Sequence, residues 1–459
     1  MEIHFHGACR TVTGSLHEIR AAGKVLLLDV GAFQGRREEA RRINATFDFD
    51  IASVDAVVLS HAHADHCGNL PNLVKQGYAG PIFCTPATAA VTALMLVDAA
   101  KIQEEDAAYL NQKTEKSWQG EIVPLFTRQD AIDTIERFVP IAYRKPTEIA
   151  GAGSGLFVEL RDAGHTLGSA AVRLTDTRTG KRLVFTGDVG RPNAPLLQNP
   201  DPFSEANAVI SECTYGGKTH APMSEIPALL AGVVNQTVNR GGVLMIPAFA
   251  LGRTQVMVEI LHQLRDRGAI PRNLPIYVDS PLATRLTDVH RKFYDLLDEE
   301  TRRMLDPFDF PNLTYVGTPQ ESRELNARRD PFIVIAGSGM CESGRIVHHL
   351  KHHVHDPRST LLLPGYQAAN TLGRRLQDGE KLVWMLGDRI PVRCGVQTLQ
   401  GLSAHADGGE LIRYCKPLRG ASVYLVHGEV PQAEAHAAAL AAAGFGMATI
   451  ATRGDVVAV

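Results

Sequence analysis

Short apolar segments recur along the first half of the chain. Each is followed by glycine or by a polar side chain that could bind a metal ion or take part in catalysis. They occupy residues 24–28, 56–59, 156–160 and 182–185. Each has the length of a β-strand, and polar loops or helical stretches separate them. Side chains that act on a substrate often stand in the loops that follow strands. The pattern therefore predicts a layered α/β protein whose functional site is built from several strand ends.

The pattern changes in the middle of the chain and then changes back. From about residue 207, buried-type apolar runs alternate with helical stretches, which indicates βαβ units. These runs are residues 208–210, 242–246, 275–278, 332–335 and 360–363. After residue 390 the predicted strand ends carry histidine again, as in the first half. We therefore expect one domain, residues 1–207 and 389–459, with a second domain, residues 208–388, inserted into it.

Two long helices are also predicted. Residues 87–118 place Leu94, Val97 and Ile102 at helical spacing, so we expect a helix that ends near Trp118. The alanine-rich segment 433–444 predicts a helix close to the C-terminus.

Composition narrows the class of protein. A chain of 459 residues exceeds the roughly 250–300 residues at which single cores stop growing, which favours two domains. The formal charge of −3 argues against a uniformly basic nucleic-acid-binding surface and leaves room for a local basic patch. Seven cysteines are scattered without a CxxC pair, which is typical of reduced thiols. No signal peptide and no membrane-spanning run is found, so we expect a cytoplasmic protein with no membrane contact.

The densest chemical signal is the segment that follows the apolar run 56–59. His61, His63, Asp65 and His66 fall within six residues, directly before Cys67-Gly68. Imidazole suits zinc, and carboxylate adds an oxygen ligand. His61 and His63 can point to one side of an extended segment, while Asp65 and His66 face a second position. One loop can therefore begin two metal sites, and a surface histidine cluster without a role is the alternative.

Other strand ends supply further candidate ligands. Asp29 ends the segment 24–28, His165 stands in a Gly-rich turn, and Asp188 ends the next strand. Alone, His165 could equally be an ordinary loop histidine. Its position one strand before Asp188 favours a shared metal site.

The motifs together resemble a known family. His61-Ala62-His63-Ala64-Asp65-His66, with Asp29 before it and His165 and Asp188 after it, resembles the metallo-β-lactamase superfamily. Later motifs resemble its β-CASP subgroup: 211–216 (SECTYG), 247–255 (PAFALGRTQ), 278–283 (VDSPLA), 338–340 (SGM) with 344–345 (GR), 403–405 (SAH) and 426–429 (VHGE). The resemblance covers residues 3 to 459. That subgroup contains RNA-processing nucleases similar to the catalytic subunit of the cleavage and polyadenylation specificity factor, with bacterial and archaeal relatives. Cys213 departs from the serine that is usual there, while Glu212, Thr214 and Tyr215 match.

The resemblance implies a fold and a metal centre. The fold would be an αββα metallo-β-lactamase sandwich with an inserted βαβ-type β-CASP domain. Two zinc ions would bind per chain, with a hydroxide between them acting as the nucleophile. The implied ligands of the first ion are His61, His63 and His165, those of the second are Asp65, His66 and His427, and Asp188 bridges the two. Asp65 would also count as catalytic, and Asp29 would orient an imidazole or the hydroxide.

The resemblance also implies a proton donor for the leaving oxygen. His405 would act as the general acid, with Glu212 as its carboxylate partner. A neighbouring carboxylate raises the pKa of an imidazole and keeps it protonated near neutrality. The alternative is that His405 only caps a helix beginning near Asp407, although Ser403 or Asp407 could provide that cap.

The inserted domain is expected to bind the substrate. Gly337, Ser338 and Gly339 lie between a predicted strand and a helix, so their backbone N–H groups could face a phosphate. Arg253, Arg345, Arg374 and Arg375 could contact further phosphates. The alternative for each arginine is an ordinary ion pair. The histidine-rich run 348–355 has no carboxylate or cysteine to complete a metal site, so positive charge near RNA or plain surface is favoured.

These features predict a zinc-dependent ribonuclease that cleaves single-stranded RNA endonucleolytically, leaving 5′-phosphate and 3′-hydroxyl ends. A DNA-processing β-CASP nuclease would share every motif. A small-molecule hydrolase would not need the inserted domain, and a non-catalytic scaffold would have lost ligands. The sequence leaves open which RNA is cut, whether 5′-exonuclease activity accompanies the cleavage, whether the chain forms a homodimer, and whether a partner protein selects the target.

Overall fold

A computed structural model describes residues 1–113, 121–399 and 401–459. These residues fall into two compact units. Unit 1 comprises Met1–Pro192, Asn199–Thr219 and Ala404–Val459. Unit 2 comprises Asn193–Gln198 and His220–Ser403.

The strands, in chain order, are β1 (Glu2–Phe5), β2 (His17–Ala21), β3 (Lys24–Leu28), β4 (Ala56–Val58), β5 (Ile82–Cys84), β6 (Phe138–Pro140), β7 (Thr147–Glu148), β8 (Leu156–Asp162), β9 (Ala170–Asp176), β10 (Lys181–Phe185), β11 (Ala208–Glu212), β12 (Leu244–Pro247), β13 (Ile276–Asp279), β14 (Leu313–Tyr315), β15 (Ile333–Ala336), β16 (Thr360–Leu363), β17 (Leu382–Met385), β18 (Asp388–Pro391), β19 (Gly395–Thr398), β20 (Ser422–Val426), β21 (Thr449–Ile450) and β22 (Val456–Ala458).

The α-helices are α1 (Arg37–Ala45), α2 (Ala64–Cys67), α3 (Leu70–Lys75), α4 (Pro86–Lys113), α5 (Arg128–Ile135), α6 (Ile226–Asn239), α7 (Arg253–Asp266), α8 (Pro281–Lys292), α9 (Glu299–Arg302), α10 (Pro319–Ala327), α11 (Arg345–His353), α12 (Leu372–Gln377), α13 (Gly408–Cys415) and α14 (Val430–Ala442). Within the described ranges, no helix is both long enough and apolar enough to cross a membrane.

Unit 1 is a four-layer αββα sandwich. Its two sheets have the orders β22-β1-β2-β3-β4-β5-β6 and β21-β20-β11-β10-β9-β8-β7. Inward-facing side chains of both sheets, such as Leu26 and Val58 from one and Val172 and Ile210 from the other, form one buried cluster. On the outer faces, separate clusters join the first sheet to α3 and α4 and the second sheet to α13 and α14. Burial of the central strands on both faces explains why their sequences are continuous apolar runs.

Unit 2 has the βαβ character predicted for the insert. Its main sheet has the order β14-β13-β15-β12-β16-β19, and all its neighbouring strands are parallel. The two-stranded hairpin β17-β18 stands apart from that sheet. The predicted sandwich with an inserted βαβ-type domain is confirmed.

One strand lies in a different place from the one expected. We expected the run 208–210 to open the insert, but β11 pairs in parallel with β10 and β20 in the second sheet of unit 1. Every residue of β11 is buried, so its sequence looks the same as that of a parallel strand in the insert. The boundaries at 207/208 and 388/389 stay predictions.

Both predicted helices begin slightly earlier in the structure than in the sequence-based prediction. α4 begins at Pro86, one residue before the predicted start, and its predicted end near Trp118 lies outside the described residues. The alanine-rich helix starts three residues earlier than predicted, at Val430, because Pro431 fits the first turn of a helix.

Candidate metal centre

The histidine-rich loop is held firmly between strand ends of the first sheet. The N–H groups of Ser15 and Val30 donate to the carbonyl oxygens of Asp65 (2.7 Å) and His66 (2.9 Å). A Cβ atom on Gly31 would lie 1.6 Å from the carbonyl oxygen of Asp65, so the two backbones touch directly there. The loop that carries the candidate ligands therefore has little freedom to move.

A first cluster of potential ligand atoms involves His61, His63, His165 and Asp188. Nδ1 of His63 lies 3.1 Å from Nε2 of both His61 and His165. Oδ2 of Asp188 lies 3.5 Å from each of the same two Nε2 atoms. In a tetrahedral site with metal–nitrogen bonds of about 2.0–2.1 Å, neighbouring ligand atoms would be about 3.3 Å apart. The cluster therefore has the dimensions of a metal site.

A second cluster contains Asp65, His66 and His427. Nε2 of His427 lies 3.3 Å from Nε2 of His66 and 3.4 Å from Oδ2 of Asp65. The other carboxylate oxygen of Asp188, Oδ1, lies 3.3 Å from Nε2 of His66. This buried oxygen accepts no hydrogen bond. One carboxylate thus presents one oxygen to each cluster.

In three of these histidines, the ring nitrogen that points away from the cluster has a hydrogen-bond partner. This leaves the lone pair of the other ring nitrogen directed into the cluster. Nδ1–H of His66 donates to Oδ2 of Asp29 (2.6 Å), and Nδ1–H of His165 donates to the carbonyl oxygen of Ala404 (3.1 Å). Nδ1 of His61 lies 3.1 Å from Oγ of Ser60, whose hydroxyl donates to Oδ2 of Asp29 (2.9 Å). Such partners fix the tautomer and orientation of metal-binding imidazoles.

Asp29 accepts several hydrogen bonds behind the histidine-rich loop. Its buried carboxylate accepts hydrogen bonds from the Ser60 N–H (2.7 Å), the Ser60 hydroxyl, the Ser15 hydroxyl (3.2 Å) and His66. Asp29 was expected to orient either an imidazole or the hydroxide. These contacts support the first role, because the carboxylate accepts a hydrogen bond from the imidazole of His66.

The pKa values of the first cluster suit cation binding. Burial and the neighbouring imidazoles lower the pKa of His61 and His165 well below the usual value, and burial lowers that of His63 to about 4. Burial alone would raise the pKa of Asp188, but His427, His66 and His405 hold it well below its usual range. Neutral imidazoles and an ionised carboxylate are the forms that a metal ion requires. In the second cluster, burial alone would lower the pKa of His66, but Asp188 and Asp29 raise it well above its usual value, so a metal ion there would displace a proton.

These observations fit a divalent metal ion at each cluster. Several buried nitrogen and oxygen lone pairs converge at 3.1–3.5 Å, and Oδ1 of Asp188 accepts no hydrogen bond in compensation. A cation would relieve this repulsion. The seven residues expected as ligands are thus brought together, and all seven belong to unit 1.

His405 and Glu212 form a pair beside the clusters. Nδ1 of His405 lies 3.1 Å from Oε2 of Glu212 and 3.8 Å from Oδ2 of Asp188. Glu212 is fully buried and also accepts hydrogen bonds from the Val189 N–H and the Thr214 hydroxyl. Burial alone would lower the pKa of His405, but Glu212, Asp188 and Asp65 raise it to about 9. The pair can therefore hold a proton next to the two clusters of candidate ligands.

His405 does not cap the helix that follows it. Asp407 caps α13 and forms a capping box with Glu410. Glu410 also accepts hydrogen bonds from the buried Arg191, and the Ala406 N–H donates to the carbonyl oxygen of Val189 (2.8 Å). The segment that carries His405 is therefore fixed to the loop that carries Asp188.

Sequence reasoning missed the hydroxyl groups of this site. The Thr214 hydroxyl donates to Oε2 of Glu212 (2.6 Å), and its oxygen lies 3.0 Å from Nδ1 of His427. It therefore accepts the Nδ1 proton of His427 and leaves Nε2 for the second cluster. The sequence signals were weak: Thr214 matched the family motif without an assigned role, and Ser60 stands next to His61.

The residues expected to bind phosphate lie in unit 2, and the loop 337–339 differs from expectation. The Ser338 N–H donates to the carbonyl oxygen of Ser343 (3.1 Å) instead of standing free. Its hydroxyl oxygen accepts the N–H groups of Glu342 and Ser343. The loop uses the Ser338 N–H group to fold onto itself, and the expected phosphate contact of residues 337–339 stays a prediction. Gly339 lies against the ring of Phe249, which a Cβ atom there would meet at 2.8 Å.

For two arginines the geometry favours the ion-pair alternative. Arg345 donates to Oδ1 of the buried Asp279 (2.5 Å) and to the carbonyl oxygens of Val316 and Gly317. Arg374 pairs with Asp378, four residues later in the chain (2.8 Å). Arg253 is the first residue of α7, near Gly365.

The carboxyl edge of the parallel sheet in unit 2 carries aromatic side chains that the sequence reasoning overlooked. Phe249 follows β12 and Tyr366 follows β16, and each is about half exposed (50% and 55%). β12 and β15 are neighbours, and the next strands of the main sheet lie in opposite directions in the strand order, β13 toward one edge and β16 toward the other. Open α/β sheets bind ligands outside the carboxyl ends of such strands.

The histidine-rich run divides between core and surface. His349 and His353 are buried, and Nε2–H of His349 donates to Oδ2 of Asp279 (2.7 Å). His348, His352 and His355 are exposed.

Comparison with known proteins agrees with this architecture. Three family models match successive parts of the chain: the metallo-beta-lactamase superfamily over residues 14–217, the Beta-Casp domain over residues 254–376, and the Zn-dependent metallo-hydrolase RNA specificity domain over residues 389–450. Among solved structures, a crystal structure of a protein of unknown function from Enterococcus faecalis V583 has the same fold, with a TM-score of 0.56, 12% identity and 99% coverage of both chains.

Two curated relatives match most of the chain. The chain is 37% identical over 434 residues to "Ribonuclease TTHA0252" of Thermus thermophilus, covering 94% of this chain and 93% of the relative. It is 30% identical over 444 residues to "Transcription termination factor FttA" of Methanocaldococcus jannaschii, covering 94% of this chain and 67% of that relative.

The fold and the clustered ligands define a metal-dependent hydrolase. The chain belongs to the β-CASP group of the metallo-β-lactamase superfamily. The resemblance inferred from the sequence is confirmed, and the family implies a divalent metal ion as cofactor.

Thr214→Val tests the hydroxyl behind His427. The variant keeps the side-chain shape and removes the acceptor of the Nδ1 proton, so His427 loses its fixed orientation. Affinity for a divalent metal at the second cluster should fall about 10- to 100-fold. Competition with a chromophoric chelator, using Co²⁺ or Zn²⁺, measures this affinity.

Thr214→Ser is the matched control, because it keeps the hydroxyl and should bind metal like the unmodified protein. Equal affinities for the valine and serine variants would show that Thr214 does not orient His427.

Proposed function

We propose that this protein is a zinc-dependent ribonuclease that cleaves single-stranded RNA internally and leaves 5′-phosphate and 3′-hydroxyl ends. The observation that carries the proposal is the carboxylate of Asp188, whose two oxygens face two separate clusters of buried ligand atoms. Nitrogen and oxygen donors at tetrahedral spacing suit zinc. RNA as substrate is supported by the RNA specificity domain match and by the relative named as a ribonuclease.

The residues of unit 1 would share the work as follows. His61, His63 and His165 would hold one zinc ion, and Asp65, His66 and His427 the other, with Asp188 between them. Paired zinc ions in such a site lower the pKa of water and neutralise charge on a phosphodiester. Asp29 and Ser60 orient the imidazoles of His66 and His61, which keeps their lone pairs directed inward.

His405 would supply the proton for the leaving 3′-oxygen. Its imidazolium is held by Glu212, whose other contacts to Val189 and Thr214 keep the carboxylate in place. A general acid of this kind is worth about 10²–10⁴ in rate.

The carboxyl edge of the parallel sheet in unit 2 would contribute to RNA binding. Arg253 stands at the start of α7, and its guanidinium lies near Gly365, the residue before the half-exposed Tyr366; the half-exposed Phe249 precedes the same helix. Aromatic rings stack on bases and arginine pairs with phosphate, so this edge has the chemistry for a single strand.

The substrate class is tested by cleavage of matched RNA and DNA. Purified protein with zinc should be incubated with internally labelled and end-labelled single strands of the same sequence. We expect internal fragments from RNA that carry 5′-phosphate ends, and little cleavage of DNA. Cleavage of DNA alone would replace RNA as the substrate, and cleavage of neither strand would reject a nuclease function.

The role of His405 is tested by replacing it with alanine. His405→Ala should keep its zinc and bind RNA, yet cleave RNA about 10²–10⁴ times more slowly because no group protonates the leaving oxygen. On a substrate with sulfur in place of the bridging 3′-oxygen, the variant should recover most of its rate, since thiolate leaves without a proton. Single-turnover kinetics on both substrates measures the difference.

His4→Ala serves as the control, because it removes a histidine from β1 and should cleave both substrates normally. If His405→Ala is equally slow on the oxygen and sulfur substrates, His405 maintains geometry and does not act as the acid.

A further inference from the structure

The hairpin β17-β18 of unit 2 presents one buried and one exposed face. Val383, Met385 and Ile390 are buried and belong to the same core cluster as α11 and α12. On the other face, Trp384 lies directly across from Arg389, and Leu382 lies across from Pro391. Side chains of directly opposed residues project from the same face of an antiparallel pair. The exposed face therefore carries a row of apolar side chains beside an arginine.

The apolar part of this face is unusually open. Trp384 is 62% exposed and Leu386, in the turn, is 51% exposed. Leu386 and Gly387 both have positive φ values (49° and 84°), as a two-residue type I′ turn requires. Asparagine, aspartate or glycine is the usual residue at the first of these positions, so the turn itself does not explain a leucine.

The border of this face is positively charged. Lys381, Arg389 and Arg393 are exposed, and within the described ranges none of them forms an ion pair. The nearby acidic side chains are already neutralised: Asp388 by Lys351 (2.5 Å) and Glu380 by Arg375 (2.7 Å).

The same border continues onto the end of α11. The N–H groups of Arg393 and Cys394 donate to the carbonyl oxygen of Val354, which places Arg393 beside the exposed His355. The exposed His355, at the end of the histidine-rich run, therefore borders this side.

We propose that this face, the hairpin platform (Leu382, Trp384, Leu386, Arg389, Pro391 and Arg393), binds single-stranded RNA. A base would stack on the indole of Trp384, and Arg389 and Arg393 would contact the phosphates on either side. An exposed aromatic ring flanked by unpaired cations is the arrangement with which proteins hold single strands regardless of sequence. The proposal rests on the proposed ribonuclease function and adds a binding surface that the catalytic residues do not require.

Charge favours RNA over a second copy of this chain as the occupant. In a symmetric dimer built on the platform, the same patch would meet itself. Arg389 and Arg393 would then face their own copies, with no unpaired acid in the platform to compensate. The phosphates of RNA supply the missing negative charge.

The fluorescence of Trp384 can report RNA binding at the hairpin platform directly. The chain contains two tryptophans, Trp118 and Trp384, so Trp118→Phe leaves Trp384 as the single fluorophore. This protein, with zinc bound, should be titrated with a 15-nucleotide single-stranded RNA whose phosphorothioate linkages resist cleavage. We expect saturable quenching of Trp384 fluorescence at the same RNA concentrations that raise the anisotropy of a labelled strand.

Substitutions then separate stacking from charge. Trp384→Ala should weaken RNA binding about 5- to 150-fold, the range for loss of one stacked base, while Trp384→Phe should retain most of the affinity. Arg389→Gln should reduce the slope of log affinity against log salt by about 0.7. Arg329→Gln is the matched control: it removes the same charge from another exposed position of unit 2 and should leave binding unchanged.

Several results would overturn the proposal. Unquenched Trp384 together with normal RNA affinity of Trp384→Ala would reject the platform even if the protein cleaves RNA, which leaves the ribonuclease function standing. Protein that neither binds nor cleaves RNA would reject the ribonuclease function as well. Equal quenching by polyglutamate would assign the platform to acidic peptides. Dissociation of a dimer in Trp384→Ala, with RNA affinity unchanged, would assign it to a second copy.

Discussion

The carboxylate of Asp188 is the constraint around which unit 1 is arranged. It is buried, and its two oxygens face imidazole nitrogens of two clusters at 3.3–3.5 Å. Lone pairs held this close in a medium that excludes water repel one another unless cations or protons lie between them. The site is therefore built to be completed by positive charge, and the surrounding fold must keep it from relaxing when that charge is absent.

The αββα sandwich meets this demand by supplying ligands from the ends of strands in both sheets. The loop after β4 carries four of them, while His165, Asp188 and His427 follow β8, β10 and β20. Buried hydroxyl and carboxylate groups then fix each imidazole from behind. The Thr214 hydroxyl contacts both His427 and Glu212. The proposed proton donor and the proposed second metal site therefore share one hydrogen-bond network. Metal position and acid position are for this reason not independent.

How much the sequence could reveal depends on the range of each interaction. His61, His63, Asp65 and His66 were predictable because a dense motif after an apolar run is a local signal. Thr214 and Ser60 were not, because hydroxyls are common in loops, and Thr214 meets His427 across 213 positions of sequence. The same limit applies to Arg345, whose partner Asp279 is 66 residues away, and to β11, whose fully buried sequence cannot indicate which sheet it joins.

The most direct test of this account is the metal content of two variants measured beside the unmodified protein by elemental analysis. The unmodified chain should contain two zinc ions. Asp188→Asn keeps the shape of the side chain but removes the charge shared by both clusters, so it should lose most of both ions, while His427→Ala should lose mainly one. One zinc ion or none in the unmodified protein, prepared without chelator, or a full complement in Asp188→Asn, would contradict the claim that Asp188 joins two metal sites.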